Sequence, residues 1–100
     1  MTVKAYNITS SVQSVTGAIT STPLFGQNTG SKQRIVVNDQ GVNTANLFIK
    51  FGTGASATSY TVKVPPNGYY EFPSTNGVYA GPVEGIWDAA TGTARTTEYW

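Results

Sequence analysis

Short segments in which apolar and polar residues alternate recur along most of this chain. Residues 33–38 and 59–64 alternate in this way, and the segment Leu47–Phe51 is the most apolar of all. Because successive side chains of a β-strand point to opposite faces, such alternation is typical of a strand with one buried face. No window of a dozen residues keeps the apolar spacing of a helix. The pattern therefore predicts a chain built from β-strands.

Turn-forming residues separate these segments at intervals of about 8 to 12 residues, a spacing typical of sandwiches and barrels. One clear turn is the run Pro65-Pro66-Asn67-Gly68. We predict an all-β fold, an antiparallel β-sandwich or barrel of the jelly-roll or immunoglobulin-like type, with about seven to eight short strands. Weaker strand signals lie at residues 69–72 and 78–79. The predicted core consists of Ile35, Val37, Leu47, Ile49, Phe51, Tyr60, Val62, Val64, Phe72, Ile86 and Trp87.

The end of the chain is predicted to be a β-hairpin. A short apolar run that carries Ile86 and Trp87 meets a turn-like stretch at residues 88–92. A second run, residues 93–99, follows and would pair with the first.

The first 32 residues are richer in Ser and Thr than the rest of the chain. A chain of 100 residues is long enough for one domain. Within it we predict N-terminal strands or an arm at residues 1–32 and the body of the sandwich at residues 33–100. Residues 3–8 are expected to form a strand of the chain's own sandwich. Residues 9–23 are compatible with a weak strand or with an arm that adds to a neighbour's sheet.

Charge is scarce, at 11% of residues against an average of about 25%. This composition fits an ordinary β-domain with a polar, uncharged exterior, and it also fits a surface that neighbouring subunits cover. The net charge of +1 provides no field for nucleic acid. Lys32 and Arg34 are the one close pair of cations, and we interpret them as a solvated strand edge. The absence of a signal-peptide pattern or a long apolar run predicts synthesis in a cytoplasm and no membrane partner.

The chain offers little catalytic chemistry. It has no Cys and no His, which excludes disulfides, Cys nucleophiles and His-based acid–base catalysis. Glu84 and Asp88 could approach each other as a carboxylate pair, but a turn cap at Asp88 and a solvated or Arg-paired Glu84 explain them as well. Asn38, Asp39 and Asn43 flank one loop without the spacing of a calcium site. We therefore expect no catalytic residue, no metal and no cofactor.

Aromatic residues are the remaining candidates for function, because exposed Tyr and Trp rings anchor interfaces or stack on sugars. In a strand, one of two consecutive rings at positions 69 and 70 faces away from the core. Two large aromatic residues also end the chain, where they would either fold back over the sandwich or contact a neighbouring subunit. The candidate interface residues are Phe25, Tyr70, Tyr79, Tyr99 and Trp100.

Three motifs carry a resemblance to a known family. They are KFG-x-GAS at residues 50–56, PP-x-GYYE at residues 65–71 and IW-x-AA-x-G-x-AR-x-TE at residues 86–98. Together they resemble a β-module of small structural proteins in tailed-bacteriophage virions, over about residues 33–98. The resemblance implies a non-enzymatic virion protein, and within that class a capsid decoration (cement) protein. The implied partner is the major capsid protein, the implied assembly is a homo-oligomer with a trimer favoured, and the implied location is the capsid surface.

Two other functions stay open at this point. One is a glycan-binding module on a head fibre or tail, for which exposed aromatic rings would form the binding groove. The other is a head–tail connector or tail component, which would form a ring and occur in few copies per particle.

Overall fold

The computed structural model describes residues 8–100, and they form eight β-strands and no helix. This confirms the all-β prediction. The strands are β1 (Ser10–Thr16), β2 (Thr22–Phe25), β3 (Gln33–Asp39), β4 (Leu47–Phe51), β5 (Val62–Val64), β6 (Tyr69–Glu71), β7 (Val83–Trp87) and β8 (Thr93–Tyr99).

The strands form two four-stranded antiparallel sheets that pack as a sandwich. Sheet A has the order β1-β8-β3-β6, and sheet B has the order β2-β7-β4-β5. The first strand therefore pairs with the last, the second with the seventh, the third with the sixth and the fourth with the fifth. This nested pairing is the topology of an eight-stranded jelly roll. The predicted antiparallel sandwich is confirmed.

The predicted terminal hairpin is wrong, because β7 and β8 belong to different sheets. β7 pairs with β2 and β4, whereas β8 pairs with β1 and β3. Residues 88–92 form the turn, but they carry the chain across the sandwich. A turn sequence specifies a reversal of the chain and leaves open which sheet the next strand joins. The predicted strand at residues 78–79 is also absent, and these residues lie in a loop.

The N-terminal strands form part of the chain's own sandwich. β1 lies at one edge of sheet A, and β2 lies at one edge of sheet B. Residues 9–23, which the sequence left open between strand and arm, therefore contain β1 and the start of β2. The strand predicted at residues 3–8 lies, apart from Ile8, outside the described residues, and Ile8 itself is not in a strand.

The core lies between the two sheets. Five predicted core residues are confirmed as buried, namely Leu47, Ile49, Val64, Phe72 and Trp87. Phe51 and Val62 are half-buried and pack against them. The other buried apolar residues of the cluster are Leu24, Phe25, Val36, Ala45, Val83 and Ala94.

The predicted orientation of β3 is wrong. Ile35 and Val37 are half-buried on the outer face of the strand, and Val36 is the residue that points into the core, with no exposed surface. Arg34 and Asn38 flank Val36 on the same inward face and are buried as well. This orientation of β3 is stable because both inward polar side chains form hydrogen bonds inside the sandwich.

Two further core assignments also fail. Ile86 is half-buried on the outer side of β7, because Val83, Gly85 and Trp87 occupy the inward positions. Tyr60 keeps 43% of its surface exposed. Its ring packs edge-on against Phe48, at a centroid distance of 5.0 Å, rather than against the core cluster.

Candidate interaction surface

The outer face of sheet A is a regular surface to which all four strands contribute. Strand registers align its outward side chains in two rows that cross all four strands. The first row consists of Val12, Thr97, Ile35 and Glu71, and the second consists of Ser14, Arg95, Val37 and Tyr69. We call these eight residues the outer face of sheet A.

Two of its apolar side chains are strongly exposed. Val12 keeps 67% of its surface accessible and Tyr69 keeps 68%. The two lie at opposite edges of the sheet, with half-buried Ile35 and Val37 between them. The cation of the face, Arg95, donates to Asp39 at 3.0 Å. Apolar groups and hydroxyls, with one paired cation and one carboxylate, make a surface suited to contact with another protein.

Three of the predicted interface residues belong to an aromatic cluster that packs against the core. Phe25 is 6% exposed and meets Phe72 edge-on, with ring centroids 5.5 Å apart. Tyr79 stacks on Phe51 at 4.9 Å, and its hydroxyl donates to the carbonyl of Pro82 at 3.0 Å. Tyr70 leans on Phe72 at 5.5 Å. Phe25 is thus inaccessible to a partner, and Tyr70 and Tyr79 are half-buried.

The exposed ring of the Tyr pair is Tyr69, not Tyr70. The sequence contains a signal for this choice, because Tyr70 and Phe72 are two residues apart and share one face of the strand. Since Phe72 is a core residue, Tyr70 points inward with it, and Tyr69 points to solvent.

The two aromatic residues at the chain end are half-buried. Trp100 and Thr9 exchange two backbone hydrogen bonds, of 2.8 and 2.9 Å, which extend the pairing of β1 with β8. Tyr99 pairs with Ser10 and with Gln33 and lies at the end of sheet A. Contact of Tyr99 and Trp100 with a partner stays a prediction.

Arg34, which the sequence placed at a solvated edge, is fully buried. Its Nε donates to Glu98 Oε2 at 2.7 Å, and its Nη atoms donate to four carbonyls. These carbonyls belong to Gly26, Tyr79, Ala80 and Gly81. Its guanidinium also lies 4.9 Å from the ring centroid of Phe25. Arg34 therefore holds together β3, β8 and the loops that close this end of the sandwich.

A second network of polar side chains lies at the C-terminal end of β3, at the opposite end of that strand from Arg34. Asn38 Oδ1 accepts from Gln40 Nε2 at 2.8 Å and from Trp87 Nε1 at 3.2 Å. Asn38 Nδ2 donates to the carbonyls of Ala45, Val64 and Pro65. Thr91 donates its hydroxyl to Gln40 Oε1, and Gln40 Nε2 donates to the Thr91 carbonyl. These bonds fix the crossing segment 88–92 against β3.

Glu84 and Asp88 belong to separate structural networks. Glu84 Oε1 accepts from the Ser21 hydroxyl at 2.7 Å and from the Gly54 N–H at 2.8 Å. These bonds, that from Gly54 above all, lower the pKa of Glu84. Asp88 accepts from the side chain and backbone of Asn46, and its side-chain bond with Asn46 is the main cause of its lowered pKa. Both carboxylates hold loops in place, whereas a general acid needs a raised pKa.

The polar residues around residues 38–43 do not converge on one point. Asn38 points into the core, and Asp39 pairs with Arg95 on the outer face. Within residues 8–100 no group of three or more acidic, His or Cys side chains is arranged to hold a metal ion. No helix of sufficient length and apolarity to cross a membrane occurs in the same stretch.

Comparison with known proteins adds no relative to this description. A scan against protein-family models gave no match, and searches of curated proteins and of solved structures gave none either.

Proposed function

We propose that this chain is a non-enzymatic structural protein of a tailed-bacteriophage virion and that it decorates the capsid. The observation that carries the proposal is the outer face of sheet A, a four-stranded surface on which Val12 and Tyr69 are each about two-thirds exposed. The jelly-roll topology supports it, because this fold is common among viral capsid proteins. The three sequence motifs point to the same class.

In this role the outer face of sheet A lies against capsid subunits. The rigid sandwich beneath it adds buried area across the boundary between subunits, and a specific contact of this kind buries about 1,200–2,000 Å². Many identical copies act in parallel on one shell. A modest free energy per copy is therefore enough to oppose the outward pressure of packaged DNA.

The first test is the number of copies per particle. Virions that carry the chain are purified, and the chain is quantified against the major capsid protein. A ratio of one copy per capsid subunit, or a simple fraction of it, supports decoration. About a dozen copies or fewer would contradict decoration and favour the connector, neck or tail.

The second test asks whether the outer face of sheet A makes the contact. We expect Tyr69→Ala to weaken binding to shells that lack the protein by at least tenfold, because exposed Tyr residues are frequent energetic centres of interfaces. Tyr60→Ala is the matched control, since Tyr60 packs on Phe48 of sheet B. Each variant's melting temperature is measured separately. Equal binding of the wild type and the Tyr69 variant would exclude this face as the site.

A glycan-binding module of a head fibre or tail is the second candidate. The exposed ring of Tyr69 favours it, because an accessible aromatic ring stacks on sugars, and some lectin domains are jelly rolls. A titration with host-surface glycans, monitored through the NMR signals of Tyr69, distinguishes the two functions. If the NMR signals of Tyr69 shift saturably with glycan and the protein does not bind shells, the chain is a glycan-binding module and not a decoration protein.

A further inference from the structure

The outer edge of β1 carries backbone hydrogen-bonding groups that no described residue uses. Thr9 and Trp100 exchange backbone bonds, and the N–H of Gly17 donates to the carbonyl of Gly92 at 2.9 Å. Odd-numbered residues of β1 therefore direct their backbone groups to β8, because the direction alternates along a strand. Backbone groups of the even-numbered residues point away from the sheet. These residues are Ser10, Val12, Ser14 and Thr16.

The other three sheet edges have features that block pairing, and β1 has none of them. β2 contains Pro23 and an irregular register. β5 and β6 have three residues each, and they contain Lys63 and Glu71 respectively. Short length, proline, charge and irregularity are the devices by which proteins protect sheet edges. β1 has seven residues, all uncharged and without proline, in continuous register with β8.

We propose that β1 pairs antiparallel with β1 of a second copy of this chain. The pairing joins two copies of sheet A into one eight-stranded sheet about a twofold axis, the isologous arrangement in which one surface meets itself. The proposal does not depend on the capsid role, because it concerns the free protein. It also departs from the trimer that the family resemblance implies.

Length and charge both favour a second copy as the occupant. Among the described strands at sheet edges, β1 is the longest, so another β1 offers it the longest run of paired residues. Two charged strands of like sign would repel, but β1 carries no charge, and the whole chain carries a net charge of +1. Two identical edges therefore meet without electrostatic cost.

The exposed apolar residues select the register. Val12 is 67% exposed and lies near the middle of β1. If Val12 lies opposite Val12 of the second copy, the exposed apolar side chains of the two β1 strands cover each other, and register follows such apolar matching. Ser10 then faces Ser14 of the second copy. All these positions are even-numbered, so each facing pair exchanges two backbone hydrogen bonds.

The area of this contact predicts a weak dimer. Seven residues extend about 24 Å, and at a width of about 10 Å the two copies bury roughly 500 Å² in total. Stable specific complexes bury at least about 1,200 Å². We therefore expect a dimer that dissociates on dilution.

Cross-linking tests the register directly, because the chain has no cysteine of its own. In the proposed pairing the two Val12 Cα atoms lie about 5.5 Å apart, within reach of a disulfide. We expect Val12→Cys to form a covalent dimer on mild oxidation at high protein concentration. Ser14→Cys is the matched control on the same face of the same strand. In this register residue 14 of one copy faces residue 10 of the other, so the two Ser14 Cα atoms lie about 14 Å apart and Ser14→Cys forms no covalent dimer.

Opposite charges at the same position provide a second test. Val12→Lys and Val12→Glu place a charge on an exposed outer position, so both variants fold, and each alone is monomeric because like charges meet at the axis. An equimolar mixture of the two forms a heterodimer. Sedimentation of the wild type shows a monomer–dimer equilibrium that shifts with concentration. A wild-type monomer at millimolar concentration, a trimer, or equal cross-linking of both cysteine variants would overturn the proposal.

Discussion

At the scale of single residues, the inward face of β3 determines how the sandwich closes. Arg34 is buried with a carboxylate and four carbonyls around it, and its partners come from β8 and from two loops. A buried guanidinium of this kind is stable because every donor direction is used. Because all five N–H groups of Arg34 have partners, its substitution leaves several buried acceptors without a hydrogen bond.

Replacement of Arg34 by Ala is expected to lower the free energy of unfolding by about 3–5 kcal/mol, because the half-buried Glu98 and four carbonyls would lose their hydrogen-bond donor. Arg34→Lys keeps the charge but cannot reach all the carbonyls, so we expect a smaller loss. Urea denaturation followed by fluorescence measures both. Lys32→Ala, two residues away and exposed, is the control and changes stability by less than about 0.5 kcal/mol. An Arg34→Ala variant as stable as this control would refute the structural role.

Glu84 provides a prediction on pH at the same scale. Its hydrogen bonds lower its pKa in the folded protein below the ordinary value of 4.5. The ionised carboxylate therefore stabilises the fold at pH values above 4.5, and this contribution is lost as the pH falls through the folded-state pKa. The difference in unfolding free energy between wild type and Glu84→Gln should be largest near neutral pH and vanish in acid.

The Gly54 amide reports on the same ionisation, because its N–H donates to Glu84 Oε1. Its NMR shift should titrate with a midpoint below 4.5 in the wild type, and this titration should disappear in Glu84→Gln. A midpoint at or above the ordinary value would show that the bond does not stabilise the carboxylate.

At the scale of elements, the alternation of apolar and polar residues predicted where most central strands lie. It did not predict which face of β3 is buried. Both faces of β3 contain β-branched residues. The face with Ile35 and Val37 is more apolar than the face on which Val36 lies between Arg34 and Asn38. The inward choice depends on partners far along the chain, such as Glu98 for Arg34 and Trp87 for Asn38. Local hydrophobicity does not contain that information. The same limit explains why Phe25 was predicted as an interface residue, although its ring packs on Phe72 in the core.

The crossing between β1 and β2 gives a test of packing between elements. Gly17 is buried, and a Cβ placed on it would lie 2.2 Å from the Thr91 carbonyl oxygen. Gly17→Ala should therefore force the backbone apart and lower stability by about 1–3 kcal/mol. Gly26→Ala is the matched control, because a Cβ placed on Gly26 would have no other atom within 4 Å. Thermal unfolding should show a drop of about 4–8 °C per kcal/mol for Gly17→Ala, and equal melting temperatures would contradict the close approach.

At the scale of the whole molecule, the nested pairing brings the two ends of the chain together. β1 and β8 are separated by more than 70 residues, whereas ten residues separate β4 from β5. The sequence predicted a sandwich or barrel of the jelly-roll or immunoglobulin-like type but did not choose between these strand orders, since strand order depends on which distant strands match in length and face. Because closing a longer loop costs more entropy, the β4–β5 hairpin is favoured to form early, and the β1–β8 pair late.

Two half-buried valines that pack against the same core test this order of folding. Val62 lies in β5 and Val15 lies in β1. We expect Val62→Ala to slow folding, and Val15→Ala to speed unfolding while it leaves the folding rate nearly unchanged. Each kcal/mol of lost stability corresponds to about a fivefold change in the affected rate. Stopped-flow measurements in urea, at protein concentrations low enough to keep the chain monomeric, separate the two rates. If Val15→Ala slowed folding as much as Val62→Ala, the chain ends would already be paired in the transition state, and the order argued from loop length would be wrong.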